Sequence, residues 1–173
     1  MDSYHAGMFF GILMGIVVGF GLLALLFKKK VLDMHFDERQ ELARGKAFQY
    51  AFMTLIACAY LYGVSDVCIG RWCDVLTGVT ICIALSIGVF AITCILKDAY
   101  LSLREKPGTI MTIFFLLAVM NLGLGGLYHH TGAIIENGVL TFRAVNPILG
   151  GTLLVILIVY IINFLLRDRK EED

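Results

Sequence analysis

The sequence predicts an all-α membrane protein of five transmembrane helices, with the N-terminus outside, the C-terminus inside and a small extracytoplasmic β-hairpin. Composition, the spacing of apolar runs and the placing of charge carry this expectation. Of 173 residues, 59% are hydrophobic, where a soluble domain is typically about 45–50% apolar. The excess calls for a solvent other than water. Apolar runs lie at about 7–27, 48–64, 75–96, 109–128 and 147–166, each near the roughly 20 residues that cross a hydrocarbon core as a helix. Lipid offers backbone groups no partner, so each run must satisfy its own hydrogen bonds as a helix. The length suits a single integral membrane domain, 1–173. Zero net charge gives no reason to expect direct nucleic-acid binding.

Charge sets the orientation. With the N-terminus outside, the inner side collects twelve of the fourteen lysines and arginines: Lys28, Lys29, Lys30, Arg39, Arg44, Lys46, Lys97, Arg104, Lys106, Arg167, Arg169 and Lys170. Arg71 and Arg143 remain outside. Such a bias in short loops is the topology signal of multi-pass proteins. The expected location is the bacterial cytoplasmic membrane.

The first span, "GMFFGILMGIVVGFG", precedes its lysines, the reverse of a cleaved signal peptide, so it is expected to stay in the mature chain. Gly7, Gly11, Gly15 and Gly19 recur every four residues and line one helix face, a glycine zipper of the small-xxx-small kind. Packing against a neighbouring helix of the same chain is the plainest use. A homo-oligomeric seam and a pore lining are the alternatives.

"LDMHFDERQELARGKAF", 32–48, is the most polar run in the chain. Asp37 is placed to cap a helix, and Gln40 stands where a capping-box partner belongs. Glu38 and Glu41 occupy the positive first turn, with Arg44 and Lys46 further on, in favourable order with the helix dipole. A helix should start near Glu38 and continue into the second span, with a cost of about 1 kcal/mol at Gly45. The expectation is a cytoplasmic helical projection over 36–47. Lys28, Lys29 and Lys30 are held to anionic lipid by about 1 kcal/mol each, and Leu32, Met34 and Phe36 line the adjoining surface. Such a charge run is either a solvated topology signal or a place where a partner docks.

Smaller stripes mark the next spans: Ala47 with Ala51, Gly78 with Cys82 and Ser86, Ala84 with Gly88. In "VCIGRWCD" the outer location allows a Cys68–Cys73 disulfide, worth roughly 2 kcal/mol for so short a loop; two idle thiols are the alternative. The C-x4-C spacing is not that of a C-x-x-C redox centre. Cys58, Cys82 and Cys94 read as small packing residues.

In "REKPGT" the Pro-Gly pair makes a turn and Thr109 can cap the fourth helix. "NLGLGGLYHH" places Asn121 where it could hydrogen-bond across helices. In "GAIIENGVLTFRAVNP", two short apolar runs flank Asn137-Gly138, the tight-hairpin signature. Asn146 is expected to cap, and Pro147 to open, the fifth helix.

Ionisable residues in span centres mark ion paths and proton relays. Asp66, Asp74, Lys97, Asp98, His129 and His130 all fall at or beyond span ends, which counts against ion-coupled transport. His129, His130 and Glu136, with Asp66 or Asp74, are the best metal candidates, but adjacent histidines point to different sides of a helix and cannot both hold one ion without a break in it. His35, Asp37, Glu38 and Glu41 do not converge either. With no phosphate loop, H-E-x-x-H or nucleophile elbow, no catalytic residue, metal or cofactor is expected, and the chain is not read as an enzyme.

"FDERQELARGKAFQYAF", 36–52, resembles a motif of small multi-spanning membrane proteins of Gram-positive bacteria of a domain-of-unknown-function class, with a looser likeness in "NPILGGTLL". The resemblance covers about a sixth of the chain closely. Members are often encoded beside small helix-turn-helix regulators, which implies membrane capture or control of a transcription factor and carries no site residues.

The leading expectation is a non-enzymatic membrane regulator or anchor that binds a cytoplasmic protein through the 28–47 loop. Arg39, Gln40, Glu41, Arg44 and Lys46 would make the contacts, with Asp37 and Glu38 holding the helix. The alternative is an oligomeric channel or small transporter subunit assembled through the glycine face of the first helix. Expected partners are therefore membrane lipid and a cytoplasmic protein, with a homo-oligomer under the alternative.

Overall fold

The computed structural model describes residues 3–28, 35–102 and 105–172. Lys29, Lys30, Leu32, Met34 and Arg104, to which the sequence assigns lipid contacts, adjoining surface or inner charge, lie outside the described residues. So do the side chains of Arg169 and Lys170.

Among the described residues, five helices are long and apolar enough to cross a membrane: α1 (Ser3–Lys28), α2 (Glu38–Ile69), α3 (Val75–Leu96), α4 (Pro107–His130) and α5 (Val145–Glu172). Strands β1 (Ile135–Glu136) and β2 (Val139–Leu140) pair antiparallel between α4 and α5. Helix packing runs α2 on α3, α3 on α5 and α5 on α4, so chain order differs from spatial order. α1 takes no comparable part among the described residues.

Small residues permit the close crossings. Ala47 and Ala51 on α2 are buried, as are Gly78, Cys82 and Ala84 on α3. The Ser86 hydroxyl donates to Ala51 O across this seam at 2.8 Å. Between α4 and α5, glycines permit the close approach. A Cβ on Gly125 would stand 2.8 Å from the Pro147 ring, and one on Gly150 2.8 Å from the Leu122 side chain. Where helices meet this closely, dispersion contacts replace the hydrophobic drive that lipid does not supply. Ala91, Ile95 and Ile156 form the buried core between α3 and α5, with Tyr100, Phe114 and Tyr160 packed against it.

At one end, the hairpin has the expected tight turn. Asn137 (φ 52°) and Gly138 (φ 78°) are both left-handed, the geometry that matches strand twist in a two-residue loop. The 72–74 segment adds to it: Leu140 N donates to Trp72 O (2.9 Å) and Asp74 N to Leu140 O (2.8 Å). The buried Thr77 hydroxyl ties α3 to Thr141 O at 2.8 Å. This rim connects α2, α3 and the segment entering α5.

Several local expectations need correction. Pro107 opens α4, and Lys106 rather than Thr109 precedes it; proline at the first helical position loses no hydrogen bond, because that N–H has no intrahelical acceptor. α5 begins at Val145 after a single 3-10 turn, Phe142–Ala144, capped by Thr141, which accepts from Arg143 N at 3.3 Å. Asn146 therefore lies inside the helix. Asn121 donates to Leu117 O of its own helix at 2.8 Å rather than across to another.

Candidate functional site

The polar run between α1 and α2 folds as its sequence directs and then does something the sequence does not announce. Asp37 Oδ1 accepts from Gln40 N at 2.6 Å, and Gln40 Oε1 accepts from Asp37 N at 3.3 Å, a complete capping box. α2 then runs unbroken through Gly45 for 32 residues, about 48 Å at 1.5 Å per residue. That exceeds a hydrocarbon core of about 30 Å and leaves several turns beyond one.

Facing this helix start is the end of α3. Ala99 N donates to Cys94 O (2.8 Å) and Asp98 N to Ile95 O (3.1 Å), with Asp98 left-handed at φ 54°. This is a Schellman termination with aspartate where glycine is usual. It turns the chain so that the carbonyls of 97–101 face α2. All five are met by three α2 side chains. Arg39 Nη1 donates to Lys97 O at 3.2 Å. Gln40 Nε2 donates to Asp98 O at 2.9 Å and Leu101 O at 3.3 Å. Arg44 Nη1 donates to Ala99 O at 3.1 Å and Tyr100 O at 3.4 Å. The Arg44 guanidinium also lies 4.0 Å from the centre of the Phe36 ring and 5.3 Å from that of Phe90, a cation on aromatic faces.

Gln40, 5% exposed, is the centre of this clamp. Its oxygen completes the α2 cap while its nitrogen holds the α3 turn, so one amide joins the ends of two helices. Only an uncharged group with both an acceptor and two donors can do so. α5 grips the same turn from the other side. Asn163 Nδ2 donates to Ile95 O at 3.2 Å, and Arg167 pairs with Asp98. Burial pushes the Tyr100 phenol well above its ordinary range, so it stays a neutral hydroxyl.

Gln40 and the half-buried Arg44 are thus engaged within the molecule, while Arg39 donates to Lys97 O from an exposed position. Glu38, Glu41 and Lys46 are exposed, and with Leu42, Gly45 and Gln49 they make up the outward side of the same turns. Leu42 is 72% exposed, an apolar knob among charges. Asn163 is not singled out by the sequence, and Asp98 and Arg167 enter it only as a span-end carboxylate and an inner charge. Their only signal was a polar residue near the end of each apolar run.

The remaining site expectations fare differently. Among the described residues, nothing lies within 4 Å of where a Cβ on Gly7, Gly11, Gly15 or Gly19 would be. Cys68 and Cys73 are both free thiols. Cys73 turns inward to 1% exposure, while Cys68 is exposed. The pairing of 72–74 with β2 orients Cys73 this way, and burial pushes its thiol pKa up. Among the described residues, no group of three or more His, Cys, Asp or Glu side chains converges as a metal site would require.

The chain matches no family model, and no significant similarity to a curated protein or a solved structure is found.

Proposed function

We propose that this protein is a non-enzymatic regulator or anchor of the bacterial cytoplasmic membrane that holds a soluble cytoplasmic protein on the outward side of the first turns of α2. One observation supports the reading above others. The helix start is capped and clamped to the α3 turn by one of its sides, which leaves Glu38, Glu41, Leu42, Lys46 and Gln49 displayed on a rod that is already ordered. An ordered helix loses little conformational freedom on binding, so its contacts convert more fully into affinity. An exposed leucine ringed by charges of both signs has the composition of a helix-in-groove anchor. The resemblance of 36–52 makes a small transcription regulator the partner to test first.

The clamp dictates which variants test the idea. Alanine at Arg39 or Arg44 would loosen the junction itself, so a lost partner would be uninformative. Glu41→Arg combined with Leu42→Asp touches the displayed side alone. The native protein in nanodiscs should retain a regulator encoded beside it, and the double variant should bind at least about ten-fold more weakly, as losing a central anchor of more than 1.4 kcal/mol implies. The thermal midpoint should be unchanged. Equal binding by both proteins rejects this docking surface.

A further inference from the structure

Beside the clamp, on its α5 side, the structure has a cleft of about 390 Å³, within the range of small-molecule sites. It lies at the same end of the bundle, where the apolar length of α5 gives out. Its walls divide by chemistry. Tyr100, Tyr160 and Phe164 present aromatic surface, Phe164 being 54% exposed, while Asp98, Asn163 and Arg167 supply polar groups. Among the described residues, Arg167 uses Nη1 alone, on Asp98 Oδ1. Its remaining donors, the second Asp98 oxygen and the hydroxyls of Tyr100 and Tyr160 have no hydrogen-bond partner there.

We propose that this cleft binds a zwitterionic phospholipid of the phosphatidylethanolamine type, with the ammonium on Asp98, the phosphate on Arg167 and one acyl chain along Tyr160 and Phe164. Charge and position decide the class. The described lining carries one carboxylate and one guanidinium side by side. A purely anionic head would gain from Arg167 and lose against Asp98, whereas a head bearing both signs satisfies each. Guanidinium suits a phosphate because its donors are presented as a planar fork. Primary ammonium brings three donors to a carboxylate that has accepting capacity left. The aromatic wall gives a tail a surface where a water-soluble zwitterion would leave it bare. Aromatic rings with a polar tip concentrate at this depth in membranes for the same reason. This inference does not depend on the protein partner.

Lipid retention by the whole protein in detergent, read by native mass spectrometry, tests it. The micelles carry equimolar phosphatidylethanolamine, phosphatidylcholine and phosphatidylglycerol of the same chains. The native protein should hold one phosphatidylethanolamine with about five-fold preference over either competitor, the scale of one partly exposed charge contact. Trimethylation removes the ammonium donors, so the phosphatidylcholine arm needs no variant and stands even if substitutions unfold the chain. Asp98→Asn should abolish the preference, whereas Arg167→Gln, which removes the contact to a phosphate that all three share, and Phe164→Ala should each lower retention of all three lipids. Soluble glycerophosphoethanolamine at the same concentration should not displace the lipid. Equal retention of the three lipids by the native protein overturns the proposal. So do a preference for phosphatidylglycerol, and displacement by the soluble head.

Discussion

At the scale of single residues, Gln40 concentrates the most consequence in one side chain. It was legible in sequence as the third residue of a capping box, and the structure confirms that bond. Its other face was not legible, because Asp98 O and Leu101 O are 58 and 61 residues away and backbone carbonyls leave no mark in a sequence. Gln40→Ala leaves both carbonyls without that donor in a buried place, and should cost about 2 kcal/mol, the usual price of an unmet buried hydrogen bond. Gln40→Glu keeps an oxygen for the cap but turns an anion on the same carbonyls, so it should lower the thermal midpoint at least as far. A Gln40→Glu protein as stable as the native one would show that the clamp contributes nothing. Cys73 teaches the converse. Spacing and compartment allow a bridge to Cys68, but whether two thiols face each other depends on how the 72–74 segment pairs with β2.

Among the elements, the end of α3 shows how a helix terminus becomes a junction. A Schellman turn needs a left-handed residue, and aspartate tolerates that conformation less well than glycine. Asp98 occupies it here and is also the partner of Arg167. The two roles separate by substitution. Asp98→Gly loses the ion pair and relieves the backbone, whereas Asp98→Ala loses the pair and keeps the strained conformation. Alanine should therefore be less stable than glycine by about 1 kcal/mol, read by thermal unfolding in detergent. Equal stability would mean that the turn does not hold position 98 left-handed. The hairpin at the other end was readable because Asn137-Gly138 encodes its own geometry. The start of α5 was not: Asn146 and Pro147 are good local signals, but the 3-10 turn capped by Thr141 begins the helix earlier.

For the whole molecule, the contacts that bring the α2 start, the α3 turn and the α5 end together place the inner-charge candidates Arg39, Arg44, Lys97 and Arg167 at one end. The hairpin and the 72–74 segment share the other. If the first of these is cytoplasmic, an impermeant maleimide applied to intact cells should label Cys68, which is exposed at the opposite end. A probe introduced as Glu38→Cys should react only after permeabilisation, and Cys73 only after unfolding. Labelling at position 38 in intact cells would invert the orientation and remove the cytoplasmic partner. The sequence by itself determined the number of apolar helices, the capped start of α2, the hairpin turn and the charge bias, because each is written in neighbouring residues through period, cap chemistry or turn dihedrals. Only the tertiary structure decided that α3 packs on α5 ahead of α4, that no described residue meets the glycine face of α1, and that Arg39, Gln40 and Arg44 bond the carbonyls of the α3 turn. The last of these depends on which distant backbone presents unpaired carbonyls, a property of the folded chain that no local pattern records.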